Sequence, residues 1–284
     1  MDRVDIAIMR LREASQMSQQ IYGKPLVVTT SGGKDSSVCL SLAEKSGIPF
    51  EVLHSHTTVD APETVYFVRK EFERLQNNGI QCKIDYPVFK GKRTSMWDLI
   101  PKKLMPPVRW SRYCCEILKE QSCSGRFIVT GVRKAESVKR SSRGIYEKLG
   151  SNIKSAIILN NDNDDRRTLI ERCTMKSKMV CNPIIDWSDR DVWDFIHSEK
   201  VSINPLYNTG HDRIGCIGCP MAGTKKRQFE FAQYPKYKKL WIFAFDKMIQ
   251  ERKKNGLSCE RETGEDLFHL WMDDGILPGQ ISMF

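Results

Sequence analysis

At 284 residues the chain is long enough to bury a substantial core, as one large domain or as a domain with an appendage. Lys and Arg number 45 against 35 Asp and Glu, a formal net charge of +10, and that field favours anionic partners without choosing among them. No stretch approaches membrane-spanning length, and ten cysteines without a secretory pattern argue against a disulfide framework and for thiols or metal ligands in a reducing cytoplasm.

Residues 1–23 interleave charges of both signs with Val4, Ile8, Leu11, Ala14, Met17 and Ile21, which predicts an amphipathic helix ended by Gly23. Apolar runs at Leu26–Thr29, Phe50–Leu53, Cys82–Tyr86 and Phe127–Thr130 then alternate with helical patterns at Ser36–Ser46, Pro62–Asn77, Met96–Leu99 and Cys114–Glu120. That rhythm predicts an α/β fold, a doubly wound parallel sheet. Ligands of such sheets lie beyond the carboxyl ends of the strands, where Thr30–Ser36, His54–Thr64 and Gly131–Arg140 fall. The polar run at 160–165 reads as a surface loop, because it lacks the glycine and terminal glutamate of a calcium-binding EF-hand. Trp187, Val192, Trp193, Phe195 and Ile196 mark a helix with a buried face. After Pro220 the chain is helical and basic, with Phe229, Phe231, Tyr234, Leu240, Phe243, Met248 and Ile249 spaced for packing.

The segment Thr30–Ser37, TSGGKDSS, breaks an apolar run into a glycine turn and restarts as a helix. Gly32 and Gly33 let the backbone approach a ligand, and the helix aims its N–H groups and positive dipole end at an anion. Ser31, Lys34 and Ser36 add one charge and two hydroxyls, with Asp35 beside them for a magnesium ion or for the loop's own hydrogen bonds. The four residues that a Walker A loop places between its glycine and Gly-Lys-Ser/Thr are missing. A second constellation is the tandem pair Cys114-Cys115 and the Cys216-x-x-Cys219 turn, which Gly215 and Gly218 loosen. Four soft thiolates fit one metal centre, and structural zinc or a redox dithiol are competing readings. Cys39, Cys82, Cys123, Cys173, Cys181 and Cys259 read as core thiols or bystanders.

The glycine turn resembles the PP-loop, SGGxDS, and the chain as a whole resembles the phosphoadenylyl sulfate (PAPS) reductase family of PP-loop proteins. Four motifs between residues 25 and 220 carry the resemblance: SGGKDSS; HSHTTVDAPET (54–64); GVRKAESVKR (131–140); and NPIIDWSDRDVWDFI (182–196) followed by NPLYNTGHDRIGCIGCP (204–220). The resemblance implies an adenine nucleotide alpha-hydrolase-like domain over 1–220, with a helical extension over 221–284. It implies ATP or an adenylyl sulfate as ligand, with Ser31, Gly32, Gly33, Lys34, Asp35, Ser36, Asp60, Gly131, Arg133 and Ser137 around the nucleotide. Lys34, Arg133 and Arg140 are the expected catalytic cations, since a guanidinium can grip phosphate or sulfate in two hydrogen bonds. In the family's iron–sulfur branch the two cysteine pairs hold a [4Fe–4S] cluster, which implies the same for Cys114, Cys115, Cys216 and Cys219.

Glu63 reads as a first-turn residue of the helix begun by Pro62, and His54, His56 and His211 as hydrogen-bonded framework. One departure is decisive. Sulfonucleotide reductases of this family attack sulfur with a cysteine in a C-terminal Glu-Cys-Gly-aliphatic-His segment, whereas these residues close in DDGILPGQISMF and offer only Cys259 beyond Cys219. Three expectations follow. The first is an ATP-dependent, pyrophosphate-releasing sulfurtransferase, similar to DNA-phosphorothioation sulfurtransferases and tRNA thiolases, with a thioredoxin-like or cysteine desulfurase-like donor and a nucleic acid among its acceptors. The second is a sulfite-releasing reductase, and the third a non-enzymatic nucleotide-binding iron–sulfur subunit.

Overall fold

The computed structural model describes residues 2–136, 140, 142–149, 157–159, 178–259 and 261–273. The run at 160–165, Ser137 and Cys173 lie outside them. The chain forms two compact units, each assembled from separated segments: 1–54, 62–85 and 122–214 in the first, and 55–61, 86–121 and 215–284 in the second. The expected boundary at residue 220 falls inside the second unit.

The first unit begins with α1 (Arg3–Tyr22), closed by Gly23 at φ 61°. It carries a seven-stranded sheet in the order β3-β2-β1-β6-β9-β7-β8. The strands are β1 (Leu26–Thr29), β2 (Phe50–Ser55), β3 (Cys82–Asp85), β6 (Phe127–Val129), β7 (Tyr146–Leu149), β8 (Ile157–Leu159) and β9 (Lys178–Cys181). β1 pairs in parallel with β2 and β6, and β6 with β9, while β7 runs antiparallel to both β8 and β9. The sheet is therefore mostly parallel, as expected, with an antiparallel edge that the sequence rhythm does not announce. The strand period of two is visible in the packing. Leu26, Val28, Phe127, Val129, Met179 and Cys181 enter one apolar core, while the intervening Val27, Ile128 and Val180 meet Leu53 in another. Helices α2 (Lys34–Ser46), α3 (Pro62–Asn77) and α6 (Asp189–Ser198) contribute to the larger core through Val38, Leu42, Val68, Phe72, Val192 and Ile196.

The second unit holds the hairpin β4 (Val88–Phe89) and β5 (Lys92–Arg93), then α4 (Met96–Lys103) and α5 (Tyr113–Cys115), which continues as a π-helical turn over Glu116–Glu120. Helices α7 (Thr224–Gln233), α8 (Pro235–Lys254) and α9 (Gly264–Met272) complete it. Its centre is aromatic: Trp241 and Trp271 stack at 4.7 Å, Trp97 meets Trp241 edge-on at 5.6 Å, and Phe231 meets Phe268 at 5.0 Å. Burying a side chain of this size contributes roughly 1.5–3 kcal/mol. Of the residues expected to pack here, Phe231, Tyr234, Met248 and Ile249 are buried, but Phe229, Leu240 and Phe243 are exposed. The inward stripe of α8 is Trp241, Ala244, Phe245, Met248 and Ile249, and Leu240 and Phe243 fall on the opposite arc.

Candidate functional site

In the first unit the strand β1 ends at Thr29, and Thr30 N–H still bonds the Leu53 carbonyl at 2.9 Å before the chain turns. Gly32 sits at φ 73°, and a Cβ there would lie 2.9 Å from Thr64 Cγ2 on α3, so both conformation and space demand glycine. Gly33 precedes α2 with no side-chain cap. Ser36 Oγ donates to the Gly33 carbonyl at 2.8 Å and accepts from Ser31 N–H at 3.3 Å, which closes the loop on itself. Lys34 N–H, one of the groups expected to face an anion, donates instead to the Tyr207 hydroxyl at 2.9 Å. Burial raises that phenol to about 12, so it stays protonated.

Four charges meet beside this turn. Lys34 Nζ lies 3.1 Å from Asp35 Oδ2 and 3.1 Å from Asp189 Oδ1. Arg133, almost wholly buried, gives Nε to Asp35 Oδ1 at 2.6 Å, Nη1 to the Trp187 carbonyl at 3.2 Å and Nη2 to Asp189 Oδ1 at 2.7 Å. The hydrogen bond from Lys34, followed by that from Arg133, holds the Asp189 carboxyl below the usual carboxylate range. Gly131 presses its backbone against Asp35, where a Cβ would approach the Asp35 carbonyl carbon to 2.8 Å. Arg140 pairs with Glu136.

Ser31 to Ser36, Gly131 and Arg133 thus come together. Asp60 belongs to the second unit, where its Oδ2 accepts the Thr57 N–H at 2.8 Å and its carbonyl accepts the Tyr237 hydroxyl at 2.7 Å. Asp189 and Tyr207 were not singled out by sequence reasoning. Each reaches the loop from more than 150 residues away, and the available signal was their position inside the two late motifs.

The cysteine pairs meet in the second unit. Asp60 bridges Cys216, and Ile217 N–H bonds the Val59 carbonyl at 2.8 Å, so the segment 57–60 backs the Cys-x-x-Cys turn. Gly218 makes that turn at φ 73°, and a Cβ there would lie 2.5 Å from Phe231 Cζ. Its N–H donates to Glu230 Oε2 at 2.9 Å. Cys114 is buried and Cys115, Cys216 and Cys219 are half-buried. The negative charges of Cys115, Cys216 and Cys219 all act on Cys114, whose thiol is raised first by its bond to Cys115. Cys115 moves the other way, to about 5, through hydrogen bonds from Cys114 and Arg112 and the charges of Arg112 and Lys119. Lys119 in turn is held charged chiefly by Cys216. Cys216 is raised chiefly by its burial, and so are thiols outside this group. Burial pushes Cys39 and Cys181 up, and Cys82 to about 11, as expected of core residues.

A mostly parallel sheet whose first strand passes into a helix through SGGKDSS, a glycine turn without Walker A spacing, is the PP-loop, adenine nucleotide alpha-hydrolase-like class of fold. Within it, the chain belongs to the phosphoadenosine phosphosulfate reductase domain family, which matches residues 25–222. An uncharacterized protein of Methanocaldococcus jannaschii is 31% identical over 232 residues, covering 80% of this chain and 47% of the relative. The adenosine 5'-phosphosulfate reductase of Allochromatium vinosum is 26% identical over 204 residues, 70% of this chain and 69% of the relative. Among solved structures, the PAPS reductase of Candida auris in a phosphate complex is similar with a TM-score of 0.45 at 20% identity, over 75% of this chain and 93% of that one. The chain spans less than half the length of its two Methanocaldococcus relatives, 47% and 41%.

Proposed function

We propose that the chain is an adenine-nucleotide enzyme of sulfur metabolism that transfers sulfur at the expense of ATP. An acceptor oxygen attacks the α-phosphorus, the α–β anhydride bond breaks and pyrophosphate leaves. A sulfur nucleophile brought by a thiol or sulfur-donor protein then displaces AMP from the acceptor, for which nucleic acid is one candidate class. The observation that carries the nucleotide half is the loop itself: a wedged Gly32 before the helix start, with Lys34 and Arg133 converging on one anionic oxygen. Gly32, Gly33, Lys34 and Ser36 would neutralise the departing pyrophosphate, and a preorganised donor of this kind contributes roughly 2.7–4 kcal/mol to a transition state. Arg140 and Ser137 belong to the same proposed nucleotide loop, and Asp35 would serve a magnesium ion.

The donor set of the second unit fits an iron–sulfur cluster. Cys114 and Arg112 draw the Cys115 thiol below the usual thiol range, and Arg112 and Lys119 would offset the negative charge that four thiolates accumulate. Cys114, Cys115, Cys216 and Cys219 would hold a [4Fe–4S] cluster, which when bound supplies a thiophilic, redox-active centre.

A second reading, sulfite release from adenylyl sulfate or its 3′-phosphate, is favoured by the activity named for the Allochromatium relative. It requires a nucleophilic thiol, and Cys259 is the only one in residues 220–284. Anaerobically purified, cluster-replete protein, supplied with either sulfonucleotide, thioredoxin and a dithiol, is expected to bind nucleotide and release no sulfite. Catalytic sulfite would overturn sulfur transfer in favour of reduction.

A further inference from the structure

A single carboxylate oxygen, Asp189 Oδ1, receives Lys34 Nζ of the glycine loop at 3.1 Å and Arg133 Nη2 from the segment after β6 at 2.7 Å. The two cations are fixed in place. Their side chains are 9% and 2% exposed, and Arg133 is further tied to Asp35 and to the Trp187 carbonyl. Asp189 is the opposite case, a side chain 70% exposed on the first residue of α6. Returning it to water strands no charge at its own position, whereas withdrawing either cation would break buried ion pairs.

Resting on the nucleotide reading above, we infer that Asp189 is an internal competitor at an oxyanion site formed by Lys34 and Arg133. Its Oδ1 marks where a pyrophosphate oxygen of the ligand binds. A polyphosphate displaces it, because adjacent phosphoryl groups bring several anionic oxygens and more negative charge to the two cations than one carboxylate can. As the pyrophosphate leaves, Asp189 returns to the cations and restores the second carboxylate they share beside Asp35. The residue therefore limits affinity and speeds release of the product.

The test is calorimetric titration of inorganic pyrophosphate and of ATP into the full chain, the Asp189→Asn variant and an Asp194→Asn control. Asp194 lies on the same helix, is 69% exposed and faces Arg190 at 3.6 Å, so the control makes the same change in net charge away from the loop. Asp189→Asn is expected to bind pyrophosphate about tenfold tighter, with slower dissociation in stopped flow, and Asp194→Asn to stay within about twofold of the parent. Asp189→Ser, uncharged and well suited to a first helical turn, repeats the measurement if the amide disturbs α6. Unchanged or weaker binding in folded Asp189 variants overturns the inference and leaves the nucleotide reading standing. No binding of pyrophosphate or ATP by any of the proteins, the parent included, overturns the nucleotide reading itself and the inference with it.

Discussion

Cys115 shows how far a neighbourhood can move a single group. Its bond from the Cys114 thiol, then Arg112 and Lys119, hold it at about 5, well below an ordinary thiol. A depressed value means that the thiolate exists above that pH and is lost as pH falls through it. In metal-free protein, alkylation of Cys115 by iodoacetamide is expected to rise through about pH 5 and level off by about pH 6, while Cys39 and Cys181 stay unmodified. Peptide mass spectrometry across that range checks it, and parallel modification of all the cysteines would contradict the assignment. Asp189 makes the complementary point. Its charge was readable in the sequence, but its partners were not, because nothing local in WSDRDVW points to a lysine 155 residues earlier.

At the scale of elements, the glycine loop depends on α3 as much as on its own residues. Gly32→Ala would combine a left-handed backbone with a contact on Thr64 Cγ2, and the expected loss is about 1–3 kcal/mol in chemical denaturation. Thr64→Ser removes that methyl while keeping the hydroxyl that accepts from Asn204 Nδ2 at 2.9 Å. The double variant should recover about 1 kcal/mol relative to additivity, and strict additivity would show that strain is confined to the turn. Several elements were legible for plain reasons. β1, β2, β3, β6, α2 and α3 are bounded by glycine or proline and carry dense apolar patterning, so rhythm located them nearly to the residue. The antiparallel edge was not. β7 reads YEKL, with two charges in four residues, and its place beside β9 is set by tertiary pairing from Tyr146–Cys181 to Leu149–Lys178. The exposed Leu240 and Phe243 misled for a related reason: a long helix with apolar residues on several arcs does not declare which arc faces inward.

For the whole molecule, the net charge of +10 acts on encounter and the buried cations act on residence. Association of ATP is expected to slow severalfold between about 0.05 and about 0.5 M salt, because the Debye length shrinks from above 10 Å to a few ångströms. Dissociation should change far less, since Lys34 and Arg133 are shielded from solvent ions. Stopped-flow measurement separates the two rates, and an equal response of both would argue against a shielded contact.

The threading of the chain also has a consequence for its biosynthesis. Cys114 and Cys115 belong to a unit that is not complete until residues 215–284 have been made, and Cys216 and Cys219 open that last segment. At roughly 5–20 residues per second, the first pair waits about 5–20 s on the ribosome before the second is translated. An adjacent pair of thiols, one of them with a low pKa once its surroundings form, is thus presented to the cell before its companions exist. Metal delivered during that interval would meet half of the proposed ligand set, so a cluster held by all four cysteines could form only after Cys216 and Cys219 are made, and oxidants present during synthesis would meet the first pair alone.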